Sequence, residues 1–405
     1  MHNIEKIIEI AMEMLSQFTQ QYNDVFKKNH IKVLEAFRNN QVTDECFRGS
    51  TGYSYNDSGR EVLNKVYAQI FKGEAALVSS HFASGTHTIY TGLNSLVNIG
   101  DKILVIAGNP YDTLYKAFTD KNSFINKRNI DLDILALNNS LRLDIDGFKR
   151  RNLTDYKLVL LQRSKGYSLR PSISIDEIKE VAFILKEKTP NTILFVDNCY
   201  GEFVEEREPL EVGADVIAGS LIKNPGGTLV SSGGYLIGSE KLVNMIADNF
   251  TVPGIGQEIG AVDGTTLRLM FQGLYLAPKA VEEAFYSSLY ASLLFEALGY
   301  GTYPKSWDKR TDVVQAIAFK DKAKLIKFCQ LIQAHSPVDS FVQPIPWLMP
   351  GYDHEVIMAS GSFISGSSSE LSADGPIREP YAAYLQGGIS FHYSKYALDN
   401  IIKYF

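Results

Sequence analysis

Short apolar runs alternate with longer amphipathic stretches along this chain from about Gly73 onward. The runs are Ala75 to Val78, Ile103 to Ile106, Ile134 to Leu137, Leu158 to Leu161, Ile193 to Val196, Val216 to Ala218 and Tyr235 to Ile237. Runs that short and continuously apolar fit strands covered on both faces, and the amphipathic stretches between them fit crossover helices. The pattern therefore predicts an α/β fold built of βα units around a mostly parallel sheet sandwiched by helices. Ligands of such sheets bind beyond the carboxyl ends of the strands, so the residues just after each run are where chemistry is to be sought.

The two ends of the chain follow other patterns. Ile4, Ile7, Ile8, Ala11, Met12 and Leu15 recur at helical spacing in a segment, Met1 to Arg38, that carries acidic and basic residues throughout. It reads as amphipathic helix, neither signal peptide nor membrane anchor, with an apolar stripe to be covered by the same chain or by a neighbour. After Gln272 come a helical stretch from Pro278 to Leu298, a Gly-Tyr-Gly-Thr-Tyr-Pro break, and a mixture of shorter strands and helices. The expected division is an N-terminal helical arm at 1–48, a large domain at 49–275 and a smaller α+β domain at 276–405. Within the last, Gln343 to Pro380 is rich in Pro, Gly and Ser and loosest from Gly361 to Ser369, and a loop that long is usually functional or mobile. No internal repeat is visible.

Composition narrows the function. The 405 residues, 45% hydrophobic and 21% charged, are ordinary for a globular protein, and a net charge of −6 without a basic tract argues against nucleic acid as the main partner. Cys46, Cys199 and Cys329 are odd in number and far apart, so no disulfide framework or zinc motif is readable and a reducing cytoplasm is expected. The seven histidines lack His-x-His and His-Glu-x-x-His spacing, Gly-x-Ser-x-Gly is absent, and no Gly-x-Gly-x-x-Gly follows an early strand. A catalytic metal, a serine nucleophile and a bound dinucleotide all lose support.

What remains is a carboxylate and a lysine. Asp197 directly follows the Ile193 to Val196 run, and Lys223 stands 26 positions later in Gly-Ser-Leu-Ile-Lys-Asn-Pro-Gly-Gly. An acid for the pyridine nitrogen and an amine for the aldehyde are the two groups that pyridoxal 5'-phosphate (PLP) requires. Its phosphate needs backbone amides at a helix N-terminus, which Ser84, Gly85 and Thr86 offer after the first run; by themselves they are an ordinary capping turn. Ser220 adds a hydroxyl, and Tyr111, in the loop after the Ile103 to Ile106 run, is the candidate for stacking on the ring. Lys165, in Gln162-Arg-Ser-Lys-Gly-Tyr, is the rival lysine; Arg163 and Arg170 from the same stretch are either substrate contacts or ion-paired structural residues. Gly52-Tyr-Ser-Tyr-Asn-Asp-Ser-Gly-Arg places Tyr53, Tyr55 and Arg60 in a turn suited to hydrogen-bonding a phosphate. Cys199 reads as a small buried thiol.

At these residues the chain resembles the fold-type-I PLP enzymes, most closely the cystathionine/methionine γ-lyase-like group that includes proteins involved in aluminium resistance. The resemblance runs from about Gly52 to the C-terminus. It rests on Ser84-Gly85, Tyr111 after Gly100-Asp101, Asp197-Asn198 and Ser220-Leu-Ile-Lys223, and, for the aluminium-resistance branch, on Gly52 to Arg60 and Gln162 to Tyr167. It implies an aspartate aminotransferase-like large domain, Lys223 as the Schiff-base lysine, and a homodimer or homotetramer whose Tyr53/Tyr55/Arg60 segment reaches a neighbour's phosphate. It also implies an arginine that clamps the substrate carboxylate, for which Arg378 is best placed and Arg268 is available. Ile222 replaces a phosphate-binding Thr of the wider family, and Asn224-Pro-Gly-Gly follows the lysine in place of a Tyr and a His-containing run, so the wider family's substrates do not transfer. The implied activity is carbon–sulfur lysis of a sulfur-containing amino acid, with α-proton abstraction and β- or γ-elimination. Alternatives are a PLP-dependent aldolase or transferase and a non-catalytic PLP-binding stress-response protein.

Overall fold

The computed structural model describes residues 2–405. Seven strands form one sheet: β1 (Ala75–Ser79), β2 (Lys102–Val105), β3 (Asp131–Ile134), β4 (Leu158–Gln162), β5 (Ile193–Asp197), β6 (Val216–Ser220) and β7 (Gly234–Gly238), in the order β1-β7-β6-β5-β4-β2-β3. Only β7 runs against its neighbours. Successive side chains feed opposite cores, because a strand alternates its faces. Leu158, Leu160, Ile193 and Phe195 pack on one side, and Val159, Leu161, Leu194 and Val196 on the other. The predicted mostly parallel sheet is therefore present. The third strand lies earlier than expected: Asp-Leu-Asp-Ile at 131–134 pairs with β2, and the more apolar Leu135 to Leu137 follows it. This strand packs one face only, through Leu132 and Ile134, and alternates them with Asp131 and Asp133, so apolar continuity pointed to the wrong residues there.

A second, antiparallel sheet is made by β8 (Gly301–Tyr303), β9 (Gln315–Ala318), β10 (Val356–Ala359), β11 (Ser372–Pro376) and β12 (Ala382–Gln386), in the order β10-β11-β12-β9-β8. Between the sheets runs a helix far longer than its periodicity suggested, Gly264–Ala297, with Pro278 inside it and the Asp263 side chain capping its first turn. It passes through the expected boundary at 275/276. The N-terminal segment is two helices, His2–Thr19 and Asn23–Asn39, parted by a tighter turn at Gln20–Tyr22. Their stripe, through Ala11, Leu15, Phe26 and Val33, is covered by the same chain: Tyr22 and Phe26 pack on Phe285 of the long helix with ring centroids 4.5 and 5.3 Å apart.

Two features anchor the carboxyl edge of the large sheet. The first is Arg163, just past β4 and 0% exposed. It was expected to be a substrate contact or a paired structural residue, and the structure places it in the interior. Its guanidinium donates to Asn198 Oδ1 and Glu205 Oε2, both at 2.8 Å, and lies 3.8 Å from Glu208. Glu205 also accepts from the Ile175 amide, and Asn29 of the second helix donates to the Phe203 and Glu205 carbonyls. The loop after β5 is thus tied from three sides. A Cβ on Gly201 would lie 2.5 Å from the Arg163 Nη1, so only glycine fits there.

The second anchor is a backbone contact. Past Lys223, a turn at Asn224–Gly226 docks on the long helix, and a Cβ on Gly273 would sit 2.3 Å from the Gly226 carbonyl oxygen. Gly227, at φ +51°, would place a Cβ 2.1 Å from the Gly273 carbonyl oxygen. Two main chains meet with no side chain between them.

Two stability changes follow. Arg163→Ala takes the buried cation away from Glu205 and Glu208, of which only Glu205 keeps another cation, Lys309 at 2.9 Å, and lowers the unfolding free energy by about 3–5 kcal/mol. Gly273→Ala overpacks the turn contact and costs about 1–3 kcal/mol. Denaturant titration measures both, and losses below about 0.5 kcal/mol would contradict these assignments.

Candidate active site

The carboxyl ends of β4, β5 and β6, with the segments that follow β1 and β2, open into one cavity of about 390 Å3. Ser84, Gly85, Thr86, Tyr111, Asp197, Ser220 and Lys223 all line it, together with Ile222. The structure therefore brings these seven sequence-chosen residues together.

Each is positioned for a local reason. Ser84 caps the helix Gly85–Leu96, its hydroxyl accepting from the His87 amide at 3.1 Å. The amides of a first helical turn have no acceptor within the helix and carry the positive end of its dipole, so this corner of the cavity favours an anion. A Cβ on Gly85 would lie 3.0 Å from that of Ser220, which is how the β6 end comes so close to the helix start. Tyr111 precedes the helix Asp112–Thr119; its amide donates to Gln162 Oε1 at 2.8 Å and its hydroxyl to Thr86 Oγ1 at 3.0 Å. Burial, reinforced by the charge of Asp197, pushes its phenol well above the ordinary tyrosine value, so it stays protonated.

Asp197 ends β5 at 3% exposure, with Oδ1 accepting from the Cys199 amide at 3.1 Å. Burial raises its carboxyl to about 6, and the Cys199 hydrogen bonds, Arg170 and Lys223 offset only part of that. A buried acid so placed gains from a cationic N–H partner. Lys223 donates to the Gly366 carbonyl from the Gly361 to Ser369 loop, and its Nζ lies 4.7 Å from the centre of the Tyr200 ring. Burial pulls its pKa down, yet Tyr200, Cys199 and Asp374 outweigh burial and the net shift is upward. The cavity can thus hold a phosphate at the helix end, a flat ring beside Tyr111 with a basic nitrogen toward Asp197, and a carbonyl near Lys223.

Other candidates lie elsewhere. Lys165, the rival lysine, is buried and donates to the Tyr303 and Val314 carbonyls, and burial lowers its pKa to about 8. Arg170 donates to the carbonyls of Gln162, Arg163, Ser164 and Pro171. Arg268 stacks on Phe47, 5.1 Å from its ring centre. Arg378 borders an adjoining cavity of about 370 Å3 that shares Tyr111, Asp112, Gln162 and Tyr167 with the first; it lies 3.5 Å from Asp112 and donates to the Tyr167 carbonyl. Tyr53 and Tyr55 are 76% and 56% exposed and line neither cavity, and Arg60 donates to the carbonyls of Ser54, Glu258 and Gly260.

Sequence reasoning missed Tyr200, Gln162, Tyr167, Tyr352 and Asp374, which complete the wall. The Gln162 to Tyr167 stretch had been chosen for its charges, yet its neutral members face the cavity. Gly166, at φ +56°, turns the chain there, so Tyr167 fronts the cavity while Arg163 points inward. No group of His, Cys, Asp and Glu among the described residues could hold a metal ion, and no described helix is long and apolar enough to cross a membrane.

Known proteins share this architecture at two levels. The chain is 42% identical to a candidate cystathionine β-lyase involved in aluminium resistance from Listeria monocytogenes, with a TM-score of 0.95 and coverage of 98% of this chain and 99% of that one. A carbon–sulfur lyase involved in aluminium resistance from Clostridium novyi NT is 40% identical, with a TM-score of 0.94 and coverage of 100% and 96%. The uncharacterised YnbB of Bacillus subtilis is 44% identical over 406 residues, 98% of this chain and 96% of that one. More distantly, the PLP-dependent YhfS of Escherichia coli, 16% identical with a TM-score of 0.62 over 94% and 96% of the two chains, has the same fold-type-I architecture. The sequence model of the methionine gamma-lyase family matches residues 4–405, and the chain belongs to that family.

Proposed function

We propose that the protein is a PLP-dependent carbon–sulfur lyase that cleaves a sulfur-containing amino acid by α-proton abstraction and β- or γ-elimination. One observation carries this reading: the anion-favouring helix start, Tyr111, Asp197 and Lys223 line a single cavity. The full-length likeness to a carbon–sulfur lyase of the aluminium-resistance group supports the reaction class. Ser84, Gly85, Thr86 and Ser220 would hold the phosphate, Tyr111 the ring face, Asp197 the ring nitrogen and Lys223 the aldehyde. When bound, PLP supplies an electron-accepting ring that spreads the charge left as the Cα proton departs.

The chain's own groups do the rest. Lys223 Nζ, neutral once it has given up its extra proton, takes the proton from Cα. Tyr111 keeps its phenolic proton at neutral pH, and so serves as a donor rather than a base. Asp197, already inclined to share a proton by its burial, steadies a protonated ring nitrogen without leaving a bare charge in the interior. Arg378, at the rim of the adjoining cavity, is the cation for the substrate carboxylate, and its contact with Asp112 holds it there. The exposed Tyr53 and Tyr55 support a dimer or tetramer in which this loop completes a neighbour's site.

The cofactor is tested directly. Purified protein should show a visible band that borohydride bleaches, and mass mapping should find the added group on the peptide of Lys223; a colourless protein that takes up no PLP would falsify the proposal. With cysteine, cystathionine, methionine and threonine as a panel, thiol release should exceed aldehyde release, and Lys223→Ala should lower turnover about 100- to 10,000-fold. Sharing of sites is read by mixing. Equal amounts of a Lys223→Ala variant and a Tyr53→Ala/Tyr55→Ala variant, exchanged into dimers, should recover about a quarter of the parent activity. Recovery no greater than either variant alone would count against shared sites.

A further inference from the structure

A second tyrosine stands between the lysine and the antiparallel sheet. Tyr200 lies in the loop after β5 at φ +70°, left-handed backbone that a bulky side chain keeps only where its surroundings hold it there. Its ring packs on a buried cluster of Val314, Ala316, Ala318, Ala382 and Tyr384 and has Lys223 Nζ over it, 4.7 Å from the ring centre. The two cavity phenols are engaged differently. Tyr111 donates its proton to Thr86 at 3.0 Å, beside the anion-favouring helix start, whereas Tyr200 interacts with Lys223. Burial raises the Tyr200 phenol, the Lys223 ammonium offsets part of that, and Asp374 and Cys199 push upward again, so the phenol keeps its proton at neutral pH. The lysine responds to the same contact: burial lowers its pKa, and Tyr200, ahead of Cys199 and Asp374, brings it back up.

In the lyase reading the departing sulfur is released along this wall. Met358 and Tyr352 are its apolar part, and the charge that the antiparallel sheet supplies is the carboxylate of Asp374. A thiolate set free there would be a poorly solvated anion facing like charge, so the carbon–sulfur bond breaks readily only if the sulfur takes up a proton as it leaves. We propose that Tyr200 is a catalytic residue that gives its phenolic proton to the departing sulfur, with Lys223 restoring that proton, so that the hydrogen taken from Cα ends on the released thiol. This deepens the lyase reading and rests on it. The steps balance. The Cα proton passes to Lys223 Nζ, and in β-elimination the electron pair it leaves closes the new carbon–carbon double bond. The pair of the broken carbon–sulfur bond stays with sulfur and binds the proton from the Tyr200 oxygen. Nζ, carrying the Cα proton as an ammonium, returns one proton to the phenolate and is neutral again. Amine, phenol and thiol lose their protons at about 10.4, 10 and 8.5 in water, so no transfer along this chain climbs far.

The leaving group provides the test. Thiol release is measured from the S-ethyl and S-(4-nitrophenyl) thioethers of L-cysteine and of L-homocysteine, because nitrothiophenolate departs without help from an acid and ethanethiolate does not. Tyr200→Phe should slow release of ethanethiol about 100- to 1,000-fold and release of nitrothiophenol only about threefold, while Tyr111→Phe should slow the two alike. A second measurement needs no turnover. In cofactor-free protein the rate of PLP uptake rises with pH as Lys223 loses its proton, and in Tyr200→Phe that rise should come at lower pH, because the ammonium has lost the hydroxyl that favours it. Equal slowing of both thiols by Tyr200→Phe, or an uptake profile that does not move, overturns the role of Tyr200 and leaves the lyase reading intact. Parent protein that binds PLP but releases no thiol from any of the four thioethers sinks the lyase reading and this role with it.

Discussion

A guanidinium that never meets water must be paired on every side, and Arg163 imposes that demand on everything around it. Its partners come from three places along the loop after β5: Asn198, Glu205 and Glu208. To reach one centre the loop must turn back on itself, which accounts for two non-glycine residues with positive φ within it, Tyr200 at +70° and Phe203 at +63°. Left-handed backbone is costly for such side chains and persists where surrounding contacts over-determine it. The consequence appears at the cavity, where the same turn carries Cys199 and Tyr200 into the wall beside Asp197, which the β5 strand itself places. A buried charge that lines neither cavity thereby shapes the wall next to the carboxylate proposed to meet the ring nitrogen.

The lysine is fixed by the opposite device, an absence of side chains. Gly226 and Gly227 let the turn after Lys223 meet Gly273 of the long helix main chain to main chain. This gives a physical reason for Asn224-Pro-Gly-Gly in place of the run found in the wider family. Pro225 and the two glycines shape a turn that a helix backbone can touch, and Asn224 reaches Glu202 on one side and Ser368 on the other. Through Ser368 the turn is joined to the loop whose Gly366 carbonyl meets Lys223.

How much of this could be read from the sequence depends on whether the signal was local. Six of the seven strands of the large sheet lie where the apolar runs put them, because burial on both faces leaves a continuous hydrophobic trace. The exception, at 131–134, has only one face to bury. Seven site residues could be chosen because each lies at or soon after the end of a strand or opens a helix, positions that primary structure marks. The start of the long helix was hidden because Gly264, Gly273 and Pro278 read as breakers when no partner is in view. Arg163 and Tyr167 were in the right stretch, but which of them faces the cavity is decided by Gly166 and by acids about 40 residues away. Asp374 carried no local mark, since its place depends on how one sheet stands against the other.

This difference in legibility follows the division of labour in the cavity. The half proposed to hold the cofactor is built from the carboxyl ends of adjacent strands, so a single topological rule places its residues and a motif can record them. The facing half is supplied by β10, β11, β12 and the loop that bears Gly366, and its residues meet those of the large sheet only after the antiparallel sheet has formed. A chain can therefore keep the first half while it changes the second, with no motif to betray the change. The aspartate on β11, held by a tyrosine from beyond β4, acts on Lys223 across the cavity, so a change there would reach the lysine's proton as well.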